Sequence, residues 1–251
     1  MRNNTFSDES TPELVARSIL QDLYTVVVAP TDLNGIAEKL NIVIRREYID
    51  SDILGACMAE GLKRLVVIAP DIRPLGRERF TLAHEIGHIM LRHSVCCCRN
   101  EDITWDSRRI DREQEANRFA AELLMPSSVM AGVVKRKGVK LGLVEALASE
   151  WQVSVTAMAI RMVQLSQDPV ILICMENDRI KWVSYSRDSH FVEITKDITR
   201  DRLDRMQKEK QYDASEFLAC VPEDATCWAE ARCYDGSGYY LCVITPDDNC
   251  W

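Results

Sequence analysis

Five residues, His84-Glu85-Ile86-Gly87-His88, constrain this chain more than any other stretch. Two histidines at i and i+4 act as a pair only on a helix, where they stand one turn apart on the same face with Cβ atoms roughly 6 Å apart. The run FTLAHEIGHIMLRH, which follows a loop bracketed by Pro70 and Pro74, predicts such a helix over about residues 78–93. Both imidazoles can then reach one zinc ion at about 2.0–2.1 Å. Glu85, rotated by about 100°, flanks the ion and can take a proton from water. Phe80, Ala83, Met90 and Leu91 can bury the opposite side. A zinc ion lowers the pKa of water to about 7 and polarises a carbonyl. The carboxylate removes the proton during attack and can pass it to a leaving amine. The competing reading is a chance match with packed or solvated histidines; the strongly helical context argues against it.

A catalytic zinc usually takes three protein ligands and keeps one open position. The other histidines are His93 and His190. On a continuing helix His93, five residues past His88, points away from the metal face. The third ligand is therefore expected to be a carboxylate from a second helix. DREQEANRFAAELLMP, residues 111–126, is the candidate, its Ala116, Ala120 and Ala121 permitting close helix packing. Glu113 and Glu115 stand about 200° apart around that helix and cannot serve the same role. Periodicity does not choose between them.

The rest of the chain reads as α+β. Helices are expected over 12–24 and 31–40, a strand over 42–48, and a hairpin from 54–59 and 64–70 around Glu60-Gly61. Residues 94–110 read as a loop, 111–124 as a helix stopped by Pro126, and 127–136, 142–150 and 154–165 as shorter helices. Beyond Asp168-Pro169 the pattern changes to a hairpin around Asn177-Asp178, a charged helix near 199–211 and a last hairpin around residues 235–238. The expected domains are 1–126, a helical part at 127–167, and a small α+β domain at 168–251.

The net charge of −8 repels a phosphate backbone, so nucleic acid is not the expected main partner. Residues 147–165 nevertheless have helix-turn-helix spacing, with Gln152 in place of the usual turn glycine. Only Arg161 supplies a positive charge on the second helix, so a bracing role is favoured. Residues 1–12 lack the basic and apolar regions of a signal peptide, and no apolar run approaches 18 residues. A cytoplasmic protein without a membrane partner is expected, and its ten cysteines should be free thiols. Cys96-Cys97-Cys98 reads as a thiol-bearing loop, with a redox-sensitive loop as the sharper alternative. Lys135, Arg136, Lys137 and Lys140 read as a solvated helix end.

AHEIGHIML followed by EANRFAAELLMP at 115–126 resembles the ImmA/IrrE family of metallopeptidases, over about residues 25–165. The resemblance implies a thermolysin-like zincin catalytic domain and a zinc site of two His and a Glu. It implies Glu115, directly before Ala116-Asn117, as the third ligand beside His84 and His88, with Glu85 catalytic. It also implies that the strand RLVVIAP is an edge able to hold an extended peptide, and that the substrate is a helix-turn-helix transcriptional repressor cleaved in a stress or mobile-element response. Where relatives often have a histidine four residues after the second ligand, this chain has Arg92, with His93 next. In radiation-response relatives the C-terminal part resembles a GAF-type sensor, for which residues 168–251 are short; sensing or substrate docking and simple structural completion stand side by side as its role. Two rival readings stand beside the endopeptidase: a catalytically inactive regulator that binds a repressor or DNA, and a zinc enzyme acting on another amide.

Overall fold

The computed structural model describes residues 11–24, 26–50, 52–93, 96–99, 111–187, 189, 193–195, 198–234 and 238–250. His190 and most of the expected 94–110 loop lie outside them. The chain divides into two compact units, Met1–Pro126 with Glu150–Ser154, and Ser127–Ser149 with Val155–Trp251.

The first unit is mixed α and β. It runs α1 (Thr11–Leu23), α2 (Leu33–Lys39), β1 (Ile42–Arg46), β2 (Ile53–Glu60), β3 (Lys63–Ile68), α3 (Leu75–Met90), β4 (Cys96–Arg99) and α4 (Asp111–Leu124). The Asp32 carboxylate accepts from Gly35 N–H at 3.0 Å and so caps α2. The sheet order is β1-β3-β2-β4, with β1 parallel to β3 and the other pairs antiparallel. β3, the RLVVIAP strand, is therefore interior rather than an edge: β2 takes one side of it and β1 the other. The edge strands are β1 and β4, so Cys96–Arg99 is a strand and not part of a loop.

Helix α3 lies against this sheet and against α4. Ile86, Ile89, Ala116, Phe119, Ala120 and Leu123 from the two helices and Val66 and Ile68 from β3 are all buried. Each large apolar side chain among them contributes roughly 1.5–3 kcal/mol on burial. The motif helix is not the amphipathic helix its sequence suggests, because every residue from Thr81 to Ile89 is buried. It also ends three residues earlier than expected. Leu91 caps it, and Arg92, at φ +59°, turns the chain back on itself.

The second unit comprises α5 (Ser127–Lys137), α6 (Leu141–Trp151), α7 (Val155–Leu165), β5 (Ile171–Glu176), β6 (Arg179–Tyr185), α8 (Arg200–Asp204), β7 (Lys210–Asp213), β8 (Thr226–Cys233) and β9 (Tyr240–Pro246). Its strands form an antiparallel sheet in the order β6-β5-β9-β8-β7. The expected helical part at 127–167 falls largely with this sheet, and the charged helix near 199–211 shrinks to α8 followed by strand β7. Ile171, Ile173, Met175, Phe217 and Tyr240 belong to its core. Gln152 takes φ +52°, as a turn glycine would. Yet Ala157 through Val163 are all buried, and Arg161 is only 7% exposed. A helix buried on every side through these residues offers no face to a DNA groove. Cys174, Cys220, Cys227, Cys233, Cys242 and Cys250 are free thiols. Among the described residues no helix is long and apolar enough to cross a membrane.

Candidate metal centre

His84 and His88 stand one turn apart on α3, both with no exposed surface. Their Nε2 atoms are 2.9 Å apart. Glu113 Oε2, reaching across from α4, lies 3.2 Å from His84 Nε2 and 3.4 Å from His88 Nε2. A tetrahedral ion with ligand bonds of 2.0–2.1 Å separates its ligand atoms by about 3.3–3.4 Å. Two sides of the triangle fall at that spacing or just below it, and the third needs a few tenths of an ångström.

The hydrogen bonds behind the triangle decide what these atoms can do. Asn117 Oδ1 lies 2.9 Å from His84 Nδ1 and accepts its proton, which leaves the Nε2 lone pair facing the other two groups. Metal-bound imidazoles are held by a partner of this kind on the far nitrogen. Burial pushes the Glu113 carboxyl up, but the adjacent His84 and His88 outweigh burial and hold it well below the usual carboxylate range. It is therefore an anion at neutral pH. Lone pairs converging this closely repel one another unless a cation stands between them, so the donor set fits a divalent metal ion. Among the described residues this is the group of His, Cys, Asp and Glu side chains able to share one ion.

Glu115, the ligand implied by resemblance, is not brought to the triangle. Its Oε2 is 3.0 Å from His93 Nε2. Glu113 takes the place beside the imidazoles because it lies one turn before Asn117, on the face of α4 that meets α3. His93 is likewise not where a continuing helix would put it. The turn at Arg92 folds it back, and its Nδ1 lies 2.8 Å from His88 Nδ1. Burial pushes the His93 imidazole below its ordinary range, against the pull of its hydrogen bond to Glu115.

Two close approaches shape the site. A Cβ at Gly87 would stand 2.9 Å from Phe119 Cδ1, so the missing side chain is what lets α4 approach α3 closely enough for Glu113 to reach the imidazoles. A Cβ at Gly55 on β2 would stand 2.6 Å from Glu85 Oε1 and 2.9 Å from Thr81 Cγ2. Glu85 is thus fully buried under the backbone of β2, on the helix that carries both histidines. The sequence reading placed His84, Glu85 and His88 together on one helix, where the structure has them, and singled out neither Asn117 nor the contact of His93 with His88. The spacing Glu113-x-x-x-Asn117 was a usable signal, because a carboxylate and an amide one turn apart share a face.

A family model described as the IrrE N-terminal-like domain matches residues 37–163. The radiation response metalloprotease IrrE of Deinococcus radiodurans is 31% identical over 109 residues, which are 43% of this chain and 33% of that protein. The match therefore spans about a third of that relative's length. Among solved structures, a transcriptional regulator of Mycobacterium tuberculosis is similar with a TM-score of 0.57, covering 94% of this chain and 75% of that chain at 12% identity. At that identity the likeness is one of fold.

Proposed function

The chain belongs to the IrrE N-terminal-like peptidase family, and on that premise we propose that it is a zinc-dependent endopeptidase with Glu85 as general base. His84, His88 and Glu113 hold the ion in this reading, Glu113 replacing the Glu115 of the sequence expectation. The observation that carries it is the convergence of His84 Nε2, His88 Nε2 and Glu113 Oε2 within 3.4 Å of one another, with the buried Glu85 on the helix that bears the two histidines.

Zinc, when bound, lowers the pKa of water to about 7 and polarises the scissile carbonyl as a Lewis acid. The remaining work belongs to the chain. Asn117 fixes the tautomer of His84. Glu85 takes the proton of the attacking water and delivers it to the leaving nitrogen. Gly55, having no Cβ, leaves the space that the Glu85 carboxylate occupies, and burial keeps bulk water from it. An extended segment of substrate adds along the β4 edge of the sheet by main-chain hydrogen bonding.

The substrate we propose is a helix-turn-helix repressor, cleaved in the cytoplasm in a stress or mobile-element response, with the second unit serving in sensing or docking. The test incubates zinc-loaded protein with the purified repressor encoded beside its gene and follows the repressor on a gel. Glu85→Gln should keep its metal and lose cleavage by roughly 10²–10⁴-fold, the usual contribution of a positioned general base. Full activity in that variant would remove the mechanism. A second reading, a catalytically silent regulator, draws support from the fold likeness to a chain titled a transcriptional regulator. Specific, salt-sensitive duplex binding without proteolysis would favour it over the first.

A further inference from the structure

We propose that Glu115 and His93 form a positioning relay that fixes the ring of His88 in the tautomer a metal requires. The inference rests on the metal-site reading above and goes past it, because Glu115 and His93 have no other part in that chemistry.

A carboxylate only accepts, so the 3.0 Å contact between His93 Nε2 and Glu115 Oε2 places a proton on His93 Nε2. With that proton on Nε2, Nδ1 is the ring nitrogen left to accept. That atom lies 2.8 Å from His88 Nδ1 and accepts a proton from it. His88, donating at Nδ1, is left with a lone pair at Nε2, 2.9 Å from His84 Nε2 and 3.4 Å from Glu113 Oε2. Each contact orients the next, beginning at Glu115. Without that carboxylate nothing in the chain of contacts prefers this order. His93 could then carry its proton at Nδ1 and push His88 into the Nε2–H form, which has no lone pair for an ion.

The relay also makes α4 the common scaffold for both imidazoles. Asn117 orients His84 directly, and Glu115 orients His88 through His93. Three alternate positions of one helix thus supply a ligand and two orienting groups. Arg92, at φ +59°, is the turn that brings His93 within reach.

The experiment uses the whole chain with Co²⁺ as the probe. In the metal-free wild type, nitrogen-15 correlations of the histidine side chains should show Nδ1–H at His88 and Nε2–H at His93. Glu115→Ala should lose that preference and weaken Co²⁺ binding by about 10–100-fold, the usual cost of removing a group that orients a metal ligand. Glu115→Gln retains an oxygen that accepts from His93 and should bind within about threefold of wild type. His93→Ala should weaken binding as much as Glu115→Ala, and the double variant no further, because the two act in series. Glu115 is half-exposed, so its alanine variant is expected to fold, and metal-free unfolding curves check this. Wild-type affinity in Glu115→Ala would overturn the relay. Equal losses in Glu115→Gln and Glu115→Ala would overturn it too, by making Glu115 a direct ligand. A wild type that takes up no Co²⁺ would instead overturn the metal site itself, and the relay with it.

Discussion

Replacing Gly87 by alanine tests how the two helices make the site. The added Cβ would stand 2.9 Å from Phe119 Cδ1, 3.2 Å from Phe119 Cγ and 3.4 Å from the Ala116 carbonyl oxygen. Ordinary carbon contacts are about 3.5–4.0 Å, so the shortfall at the ring is about 0.6 Å. Phe119 is fully buried in an interior packed as densely as a crystal, and its ring has nowhere to swing. The cheapest relief is a shift of α4 away from α3. A shift of about half an ångström takes Glu113 Oε2 from 3.2 and 3.4 Å to roughly 3.7–3.9 Å from the two Nε2 atoms, beyond the 3.3–3.4 Å that a tetrahedral ion needs. Overpacking costs about 1–3 kcal/mol, and alanine regains about 1 kcal/mol of helix propensity, so the fold should lose little stability. Metal affinity should fall on the order of tenfold, the scale seen when ligand orientation is disturbed. Competition against a chromophoric chelator measures the affinity, and thermal unfolding of the metal-free protein measures the fold. Wild-type metal affinity in a folded Gly87→Ala would refute the claim that this glycine sets the distance.

Gly55→Ala crowds Glu85 Oε1 to 2.6 Å; metal content should be unchanged while turnover of the repressor falls by roughly 10–100-fold, the cost of misplacing a catalytic group by a fraction of an ångström. Burial raises the Glu230 carboxyl, although it accepts from Leu141 N–H at the start of α6. A raised acid favours the folded state at low pH and loses that advantage as pH climbs from the unfolded value through the folded one. Glu230→Gln, which keeps an acceptor, should therefore gain stability over wild type as pH rises through that window, with no gain below it. A gain confined to acid pH, in thermal unfolding across a pH series, would contradict this sign. Burial pushes the Cys227 thiol up to about 12 and raises Cys242 further, whereas Cys220 is exposed. Brief alkylation followed by peptide mass spectrometry should label Cys220 and spare the other two, since the thiolate is the reactive form.

The part of this site that lies on one helix was legible, because the spacing of His84, Glu85 and His88 has a fixed meaning once the segment is helical. The part that depends on how helices meet was not. Glu113 and Glu115 differ by a 200° rotation, and choosing between them requires knowing which face of α4 packs on α3. The pairing of Asn117 with His84 answers that, and it is a tertiary contact. His93 was misread because helical periodicity was extended past Met90. The reversal happens at Arg92, a residue with no ordinary preference for positive φ. β3 was taken for an edge because a hairpin is a local pattern, whereas its parallel partner β1 pairs with it on the side away from β2. The spacing of residues 147–165 allows a helix-turn-helix, but burial of α7 decides what such a shape could do, and a sequence window does not contain burial.

The central claim is that His84, His88 and Glu113 share one divalent ion. Crystals grown with zinc, measured on both sides of the zinc absorption edge, test it most directly. A single strong anomalous peak should lie about 2.0–2.1 Å from His84 Nε2, His88 Nε2 and a Glu113 oxygen. A peak bound by Glu115 in place of Glu113, or held by cysteine sulfur elsewhere with none at the two histidines, would contradict the account.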